Sequence, residues 1–246
     1  MNARITFAVA KRVLLQIRHD HRTLAMLVVL PSLILSLLWW MFEDTGGKGF
    51  DQLGPSLLAI IPFIVMFLVT SVTTLRERSS GTLERLLAMP MGKLDLLLGY
   101  AVAFGVMAAI QSALAVTVCT TLLDLQIAGP TGMLVVVAVA NAVLGTALGL
   151  LVSAFARTEF QAVQFMPLLV IPQILLCGLF VARDKLPDVL GAISDVLPLS
   201  YSVDAMTSVT ERAQLEPAVW GDLSIVVLFA AAALGLGAAT LRRRTA

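Results

Sequence analysis

Apolar positions run along this chain in long uninterrupted stretches, separated by short charged segments. A helix needs about 20 predominantly apolar residues to cross the hydrocarbon core of a bilayer. Six segments reach that length: residues 24–42, 55–75, 96–123, 132–154, 160–182 and 218–241. The third is longer than a crossing needs, so it is tilted or protrudes. The first is no secretory signal, because it starts late, is too long for an h-region and leads into Glu43-Asp44-Thr45-Gly46. The predicted fold class is an all-α membrane protein, one transmembrane domain over residues 1–246.

The polar segments carry their own patterns. Residues 1–23 are too charged to cross. At about 100° per residue, Arg4, Lys11, Arg18 and Arg22 form one stripe, and the apolar set Phe7, Val9, Val13, Leu14 and Ile17 is assigned to the other side. This predicts an amphipathic helix in the membrane interface with its cations toward anionic headgroups.

Residues 76–94 read as a loop with a helix in it. Ser79, Ser80 and Gly81 are turn and N-cap residues, and Glu84 follows in the first turn, where the helix dipole favours an acid. Leu83, Leu86 and Leu87 make an i, i+3, i+4 face, and Pro90 stops the helix, which therefore covers 80–90. So short a helix is not stable alone. It docks on its own bundle end, on the headgroup layer, or on a soluble protein.

Residues 43–54 read as a flexible external connector, and 124–131 and 155–159 as tight turns. The long segment 183–217 opens a helical pattern at Leu186-Pro187-Asp188, with Leu190, Ile193 and Leu197 on one face and Pro198 ending it. Tyr201, Val203, Met206 and Val209 suggest a second short helix. Half-apolar helices of this kind pack on the bundle, because lipid-exposed irregular backbone is not tolerated at depth.

Composition agrees and narrows the classes. Of 246 residues, 59% are hydrophobic and 13% charged, against about 45–50% and about 25% in soluble domains. That excludes an ordinary cytosolic enzyme, a disordered chain and a nucleic-acid binder. The net charge of +1, from 17 Lys+Arg and 16 Asp+Glu, hides a polarity. With both termini in the cytoplasm, the inside holds Arg4, Lys11, Arg12, Arg18, Arg22, Arg76, Arg78, Arg85, Lys93, Arg157 and Arg242 to Arg244. The outside holds Lys48, Arg183, Lys185 and Arg212. The positive-inside rule selects this orientation, and six spans are compatible with it.

The spans carry no ionisable group at mid-depth, and His19 and His21 lie in the N-terminal flank. No intramembrane protease pair, metal cluster or ion-coupling acid follows. No G-x-x-x-x-G-K-[ST] phosphate loop is present, so nothing here cradles ATP phosphates in the usual way. Cys119 and Cys177 lie in apolar runs and read as packed core. Gln111, Asn141, Gln164 and Gln173 read chiefly as bonds between helices. Gly145 and Gly149, four apart, allow close helix approach within the bundle or to another subunit. Pro167 and Pro172 loosen or kink the fifth span.

Two regions resemble one family. The first is Arg76-Glu77-Arg78, then Gly81-Thr82-Leu83-Glu84-Arg85-Leu86, then Met89-Pro90. The second runs from Phe165-Met166-Pro167 through Ile171-Pro172 and Cys177-Gly178-Leu179-Phe180 to Leu186-Pro187 and Leu197-Pro198-Leu199-Ser200-Tyr201. Together they resemble the ABC-2 type permease family, the membrane subunits of ATP-binding-cassette exporters. The likeness is greatest to short drug-exporter permeases such as those of daunorubicin resistance, and it extends over nearly the whole chain. Ser79-Ser80 departs from the more acidic residues that often precede the glycine.

The resemblance implies roles. Residues 1–23 would be the elbow helix, 80–90 the coupling helix and 186–209 the external re-entrant helices. Partner coupling falls on Arg76, Glu77, Arg78, Leu83, Glu84, Arg85, Leu86 and Leu87. Spans 2 and 5 of facing protomers would line the route, through Phe63, Met66 and Phe67 and through Phe165, Leu169, Pro172, Gln173 and Leu176. The implied partners are a nucleotide-binding subunit, a second permease protomer of the same or a related chain, and the bilayer. No cofactor belongs to this chain, and ATP and magnesium would sit on the partner subunit. The expected location is a cell membrane, bacterial inner or plasma membrane, and the expected role is efflux of a drug-like, lipid or other amphipathic molecule. The competing reading is a scaffold or regulatory subunit that docks a soluble partner through the same loop without transport.

Overall fold

Backbone amides inside a bilayer find no water, so a chain with these apolar runs must satisfy them within helices. The computed structural model describes residues 3–43, 48–80, 92–156 and 158–240. Among these residues the regular structure is helical, with no strand. The helices are α1 (Ala3–His19), α2 (His21–Glu43), α3 (Lys48–Ser79), α4 (Lys93–Thr121), α5 (Thr131–Phe155), α6 (Glu159–Leu169), α7 (Ile171–Leu176), α8 (Asp188–Ser194), α9 (Pro198–Glu211) and α10 (Pro217–Thr240). Six segments are long and apolar enough to cross a membrane: Thr23–Phe42, Gly49–Ser79, Leu94–Thr121, Thr131–Phe155, Glu159–Leu176 and Pro217–Thr240. The protein is a multi-pass membrane protein.

Helices α3 and α5 form the centre, and glycine decides how close they come. A Cβ at Gly145 would lie 2.4 Å from the Phe63 carbonyl oxygen, and one at Gly149 would lie 2.6 Å from that of Phe67. One turn earlier, Asn141 Nδ2 donates to the Ala59 carbonyl at 2.6 Å. Residues 141, 145 and 149 of α5 thus step along 59, 63 and 67 of α3, one turn at a time. The small-residue pair serves this seam inside the protomer. Phe63, Met66 and Phe67 are all 0% exposed, since each fills space between α3 and its neighbours.

The periphery faces outward with apolar side chains, as a lipid solvent requires. Helix α2 exposes Met26, Val29, Leu33, Leu37, Trp40 and Met41, and α10 exposes Trp220, Val227, Leu228 and Leu236. Helix α1 lies against α4, burying Val9, Ala10, Val13 and Ile17. The close approach needs Gly99, where a Cβ would fall 2.6 Å from the Val9 side chain. Phe7 departs from its expected place. It lies three residues from Arg4 and four from Lys11, hence on their side of the helix, and it is 66% exposed.

Several boundaries also depart from expectation. The second span starts at Lys48, so most of the expected flexible connector 43–54 is helical, and it continues to Ser79. The fifth span, expected to reach residue 182, is interrupted at Val170 and stops at Leu176. Pro167 and Pro172 each remove a helical N–H, and the chain beyond Leu176 turns through Gly178, whose φ of 98° suits glycine. Pro198 does not end a helix. It opens α9, where its missing N–H costs nothing and its fixed φ fits.

Helix α9 is an inner element of the bundle. Leu199, Ala205 and Met206 are 0% exposed, and the helix packs on α3, α5 and α10. Its C-terminal carbonyls are taken up by the α4–α5 loop: Ala128 N–H donates to Thr210 O at 2.8 Å and Gly129 N–H to Val209 O at 3.2 Å. The segment before α9 is fixed by Arg183, which pairs with Asp195 at 2.6 Å and with Asp204, and stacks over Tyr201 at 5.1 Å. Burial raises the Asp204 carboxyl above its ordinary range, although Arg183 pulls it down.

Candidate functional site

The residues expected to couple the chain to a partner begin at the end of α3. Consecutive residues on a helix point about 100° apart. Arg76, Glu77 and Arg78 therefore fan out toward three different neighbours.

Arg78 turns to the C-terminus of α5. Its Nη1 donates to the carbonyls of Ser153 at 3.1 Å and Ala154 at 2.8 Å. The last carbonyls of a helix have no intrahelical donor and sit at the negative end of its dipole, so a guanidinium there is favoured twice. Arg76 turns to the start of α6, forming a two-point pair with Glu159 at 3.2 and 3.3 Å. Glu159 opens that helix just after its N-cap, Thr158, whose side chain accepts from the Gln161 amide at 3.1 Å. The pair is open to solvent, with 62% and 46% of the two side chains exposed. Exposed pairs contribute about 0–1 kcal/mol. Arg76→Ala should therefore barely move the thermal unfolding midpoint in detergent, and a large drop would show that the pair does more than its exposure allows.

Glu77 turns inward. It is 5% exposed, and its Oε2 accepts from Arg12 Nη2 of α1 at 2.5 Å and from the Tyr100 hydroxyl of α4. Burial works against the Arg12 charge, yet Glu77 and Tyr100 together leave its guanidinium above the ordinary range. Tyr100 is 1% exposed and stacks near Phe104 at 6.4 Å. A cleft of about 270 Å³ opens beside this knot between α1, α2 and α3, lined by Gln16, Asp20, Thr73, Arg76, Glu77 and Ser80 among others.

The three charged residues thus gather α1, α4, α5 and α6 at one end of the bundle, directly where the chain leaves α3. Leu83, Glu84, Arg85, Leu86 and Leu87, the rest of the expected coupling set and of the 80–90 helix, lie outside the described residues. The partners Arg12, Tyr100 and Glu159 were not read from the sequence. Tyr100 offered a signal, because a tyrosine inside an apolar run needs a partner for its hydroxyl.

The expected pathway residues divide. Phe63, Met66 and Phe67 present no surface in this conformation. On the broken fifth span, Leu169 and Pro172 are exposed, and Phe165 and Leu176 are half-buried. Gln173 is buried and bridges: its Nε2 donates to Leu169 O at 2.9 Å, and its Oε1 accepts from the Leu199 amide of α9 at 3.3 Å. Cys119 and Cys177 are both fully buried, and burial raises the Cys177 thiol above its usual range. Among the described residues no group of three His, Cys, Asp or Glu side chains is placed to hold a metal.

The chain resembles known proteins along most of its length. The family model described as "ABC-2 type transporter" matches residues 4–210. The chain is 27% identical over 194 residues to "Probable multidrug ABC transporter permease YbhR" of Escherichia coli, covering 77% of this chain and 52% of that protein. It is 25% identical over 184 residues to "Linearmycin resistance permease protein LnrN" of Bacillus subtilis, covering 74% of this chain and 47% of that protein. It thus spans about half the length of these two relatives. With a match that extends from α1 through nearly all of α9, the chain belongs to the ABC-2 type transporter family.

Proposed function

We propose that this chain is the membrane-spanning permease subunit of an ATP-driven exporter, works as a dimer of permeases, and takes its force from separate ATP-binding subunits through residues 76–94. The observation that carries the reading is the fan at the end of α3. A push on residues 81–91 reaches a point where Arg76, Glu77 and Arg78 are bonded to four other helices. A loop that merely linked two spans would not need its root tied to so many elements.

Both termini and the fan lie on the cytoplasmic side in this reading. In the 80–90 segment, Leu83, Leu86 and Leu87 would enter an apolar groove on the ATP-binding subunit, while Glu84 and Arg85 pair at its rim. A helix docking in a groove uses this combination of anchors and rim. ATP and magnesium belong to that subunit, and its closure would move α3 against the second protomer. The second protomer would face the broken fifth span, where Phe160, Leu168, Ile171 and Leu175 stand exposed. Leu169 and Pro172 lie on the same segment and would meet the substrate. Phe63, Met66 and Phe67, all buried, would reach it only after α3 moves away from its neighbours. The names of the relatives, a multidrug permease and a linearmycin resistance permease, favour an amphipathic drug-like or lipid substrate.

The test is Leu86→Asp, or Glu84→Lys, in the chain co-expressed with its ATP-binding subunit. Either variant should insert normally and lose stimulation of the partner's ATPase. Normal insertion with normal stimulation would place coupling elsewhere. A chain that binds a soluble partner without altering ATP hydrolysis would instead be a scaffold.

A further inference from the structure

The cleft beside the Glu77 knot joins two kinds of wall. Val13 and Ile17 of α1 supply an apolar side, and Asp20 and Glu77 supply carboxylates, with Thr23 and Thr73 between them. Arg76 also lines it, but Glu159 engages that guanidinium at two points, and Glu77 engages Arg12. Asp20 therefore adds a carboxylate beyond these two pairs.

The carboxylate of Glu77 is used on one side only. Its Oε2 accepts from both Arg12 and Tyr100, while Oε1 is buried and accepts from none of the described residues. A buried carboxylate oxygen without a donor is costly, and native proteins hold few of them. Glu77 is 5% exposed and lines the cleft, so a donor can approach it from there. Asp20 has capacity as well. It accepts from Thr23 N at 3.1 Å and Thr23 Oγ1 at 2.6 Å, and a carboxylate offers about four acceptor positions.

The cleft opens at the membrane edge. Thr23 begins the first crossing segment, and Ser79 ends the second, one residue before Ser80 of the cleft wall. Groups with an apolar body and a charged head settle at that depth. The volume of about 270 Å³ is just under the roughly 300 Å³ of the smallest drug-sized pockets, which suits one or two rings.

We propose that this cleft binds small cationic amphipathic molecules from the membrane edge. Their ammonium donates to Glu77 Oε1 and to Asp20, and their apolar part rests on Val13 and Ile17. The site lies apart from the residues of the second and fifth spans expected to line the route. Its use as an entry point for cargo rests on the permease reading above; the binding does not.

The experiment photolabels the full chain in phosphatidylcholine vesicles with 4-(aminomethyl)benzophenone, an ammonium at neutral pH. Its neutral analogue, 4-(hydroxymethyl)benzophenone, is the comparison. The amine should label peptides of α1 and α3 saturably, at a half-saturating concentration about tenfold below that of the alcohol, the gain of one charge-assisted hydrogen bond. Asp20→Asn keeps the cap on Thr23 and removes the charge, so it should erase most of that difference. Thr73→Trp should fill the cleft and abolish the labelling, with the thermal midpoint showing that the fold is kept. Equal labelling by amine and alcohol overturns the site, as does a preference unchanged in Asp20→Asn. Labelling confined to the outward faces of α2 and α10 also overturns it, since the probe would then be dissolved in lipid only. For the cargo role, the amine should raise the ATPase of the complex with its ATP-binding subunit, and Thr73→Trp should lose the increase. Saturable labelling with ATPase unmoved overturns the cargo role alone. The labelling needs no ATP-binding subunit, so its outcome stands apart from that of the permease reading.

Discussion

Glu77→Ala should destabilise the protein by about 3 kcal/mol, the lower end of the range for breaking a buried ion pair. The lower end applies because Arg12 keeps 31% of its side chain exposed and regains some water when its partner is lost. Tyr100 has no such escape: it is 1% exposed, and its hydroxyl would be left without the carboxylate it now donates to. Helix α1 should loosen from α4 and from the end of α3, and stimulated ATP hydrolysis should fall with it. The measurement is the thermal midpoint in detergent, followed by size-exclusion chromatography, beside the ATPase of the reconstituted complex. Glu77→Met combined with Arg12→Met should recover part of the stability, since no buried charge then lacks a partner. Recovery of stability without recovery of ATPase would separate the transmitting role of the pair from its structural one. A single Glu77→Ala variant as stable as the wild type would show that the knot does not hold α1 in place.

Gly145→Leu should cost more still and leave little folded protein. The Cβ alone would lie 2.4 Å from the Phe63 carbonyl oxygen, a backbone atom on a helix that is itself fixed by Asn141 and Gly149. Overpacking a tight core typically costs about 1–3 kcal/mol, and more where backbone must move. Here the two central helices would have to separate along the seam that carries Phe63 and Phe67. Gly235→Leu is the control, because a Cβ there meets nothing within 4 Å. Yield of monodisperse protein after extraction measures both. Equal yields would mean that α3 and α5 are less closely fitted than their geometry requires.

The two expectations differ in how far the sequence foretells them. The six crossing segments are legible because a bilayer imposes length and apolarity on each run by itself. The fan is less legible, since its partners lie far apart in the chain: Arg12 is 65 residues from Glu77, Tyr100 is 23, and Glu159 is 83 residues from Arg76. Periodicity reports neighbours three or four residues away and is silent on such pairs. The motif Arg76-Glu77-Arg78 marked the place, and its charges suggested a partner protein. The structure directs Glu77 and Arg78 to the protein's own helices.

A similar limit applies to Phe63, Met66 and Phe67. Their spacing shows a common face without showing what it faces: Phe63 and Phe67 run beside Gly145 and Gly149 of α5, whereas Met66 is buried in the group that holds Leu96 and Tyr100 of α4. Hydropathy extends the fifth span to residue 182 because residues 177–182 are apolar, while the two prolines and Gly178 set its end. Phe7 is apolar by type, but its angle puts it beside Arg4 and Lys11.

In the coupling proposed above, residues 81–91 receive force from an ATP-binding subunit and deliver it to the fan at the end of α3. A photoreactive group on Arg85→Cys, in vesicles holding the permease and its ATP-binding subunit, measures it most directly. A cross-link to the ATP-binding subunit is expected, and it should disappear in the Leu86→Asp background. Cross-links only to lipid or to the permease itself, with stimulated ATPase intact, would contradict it.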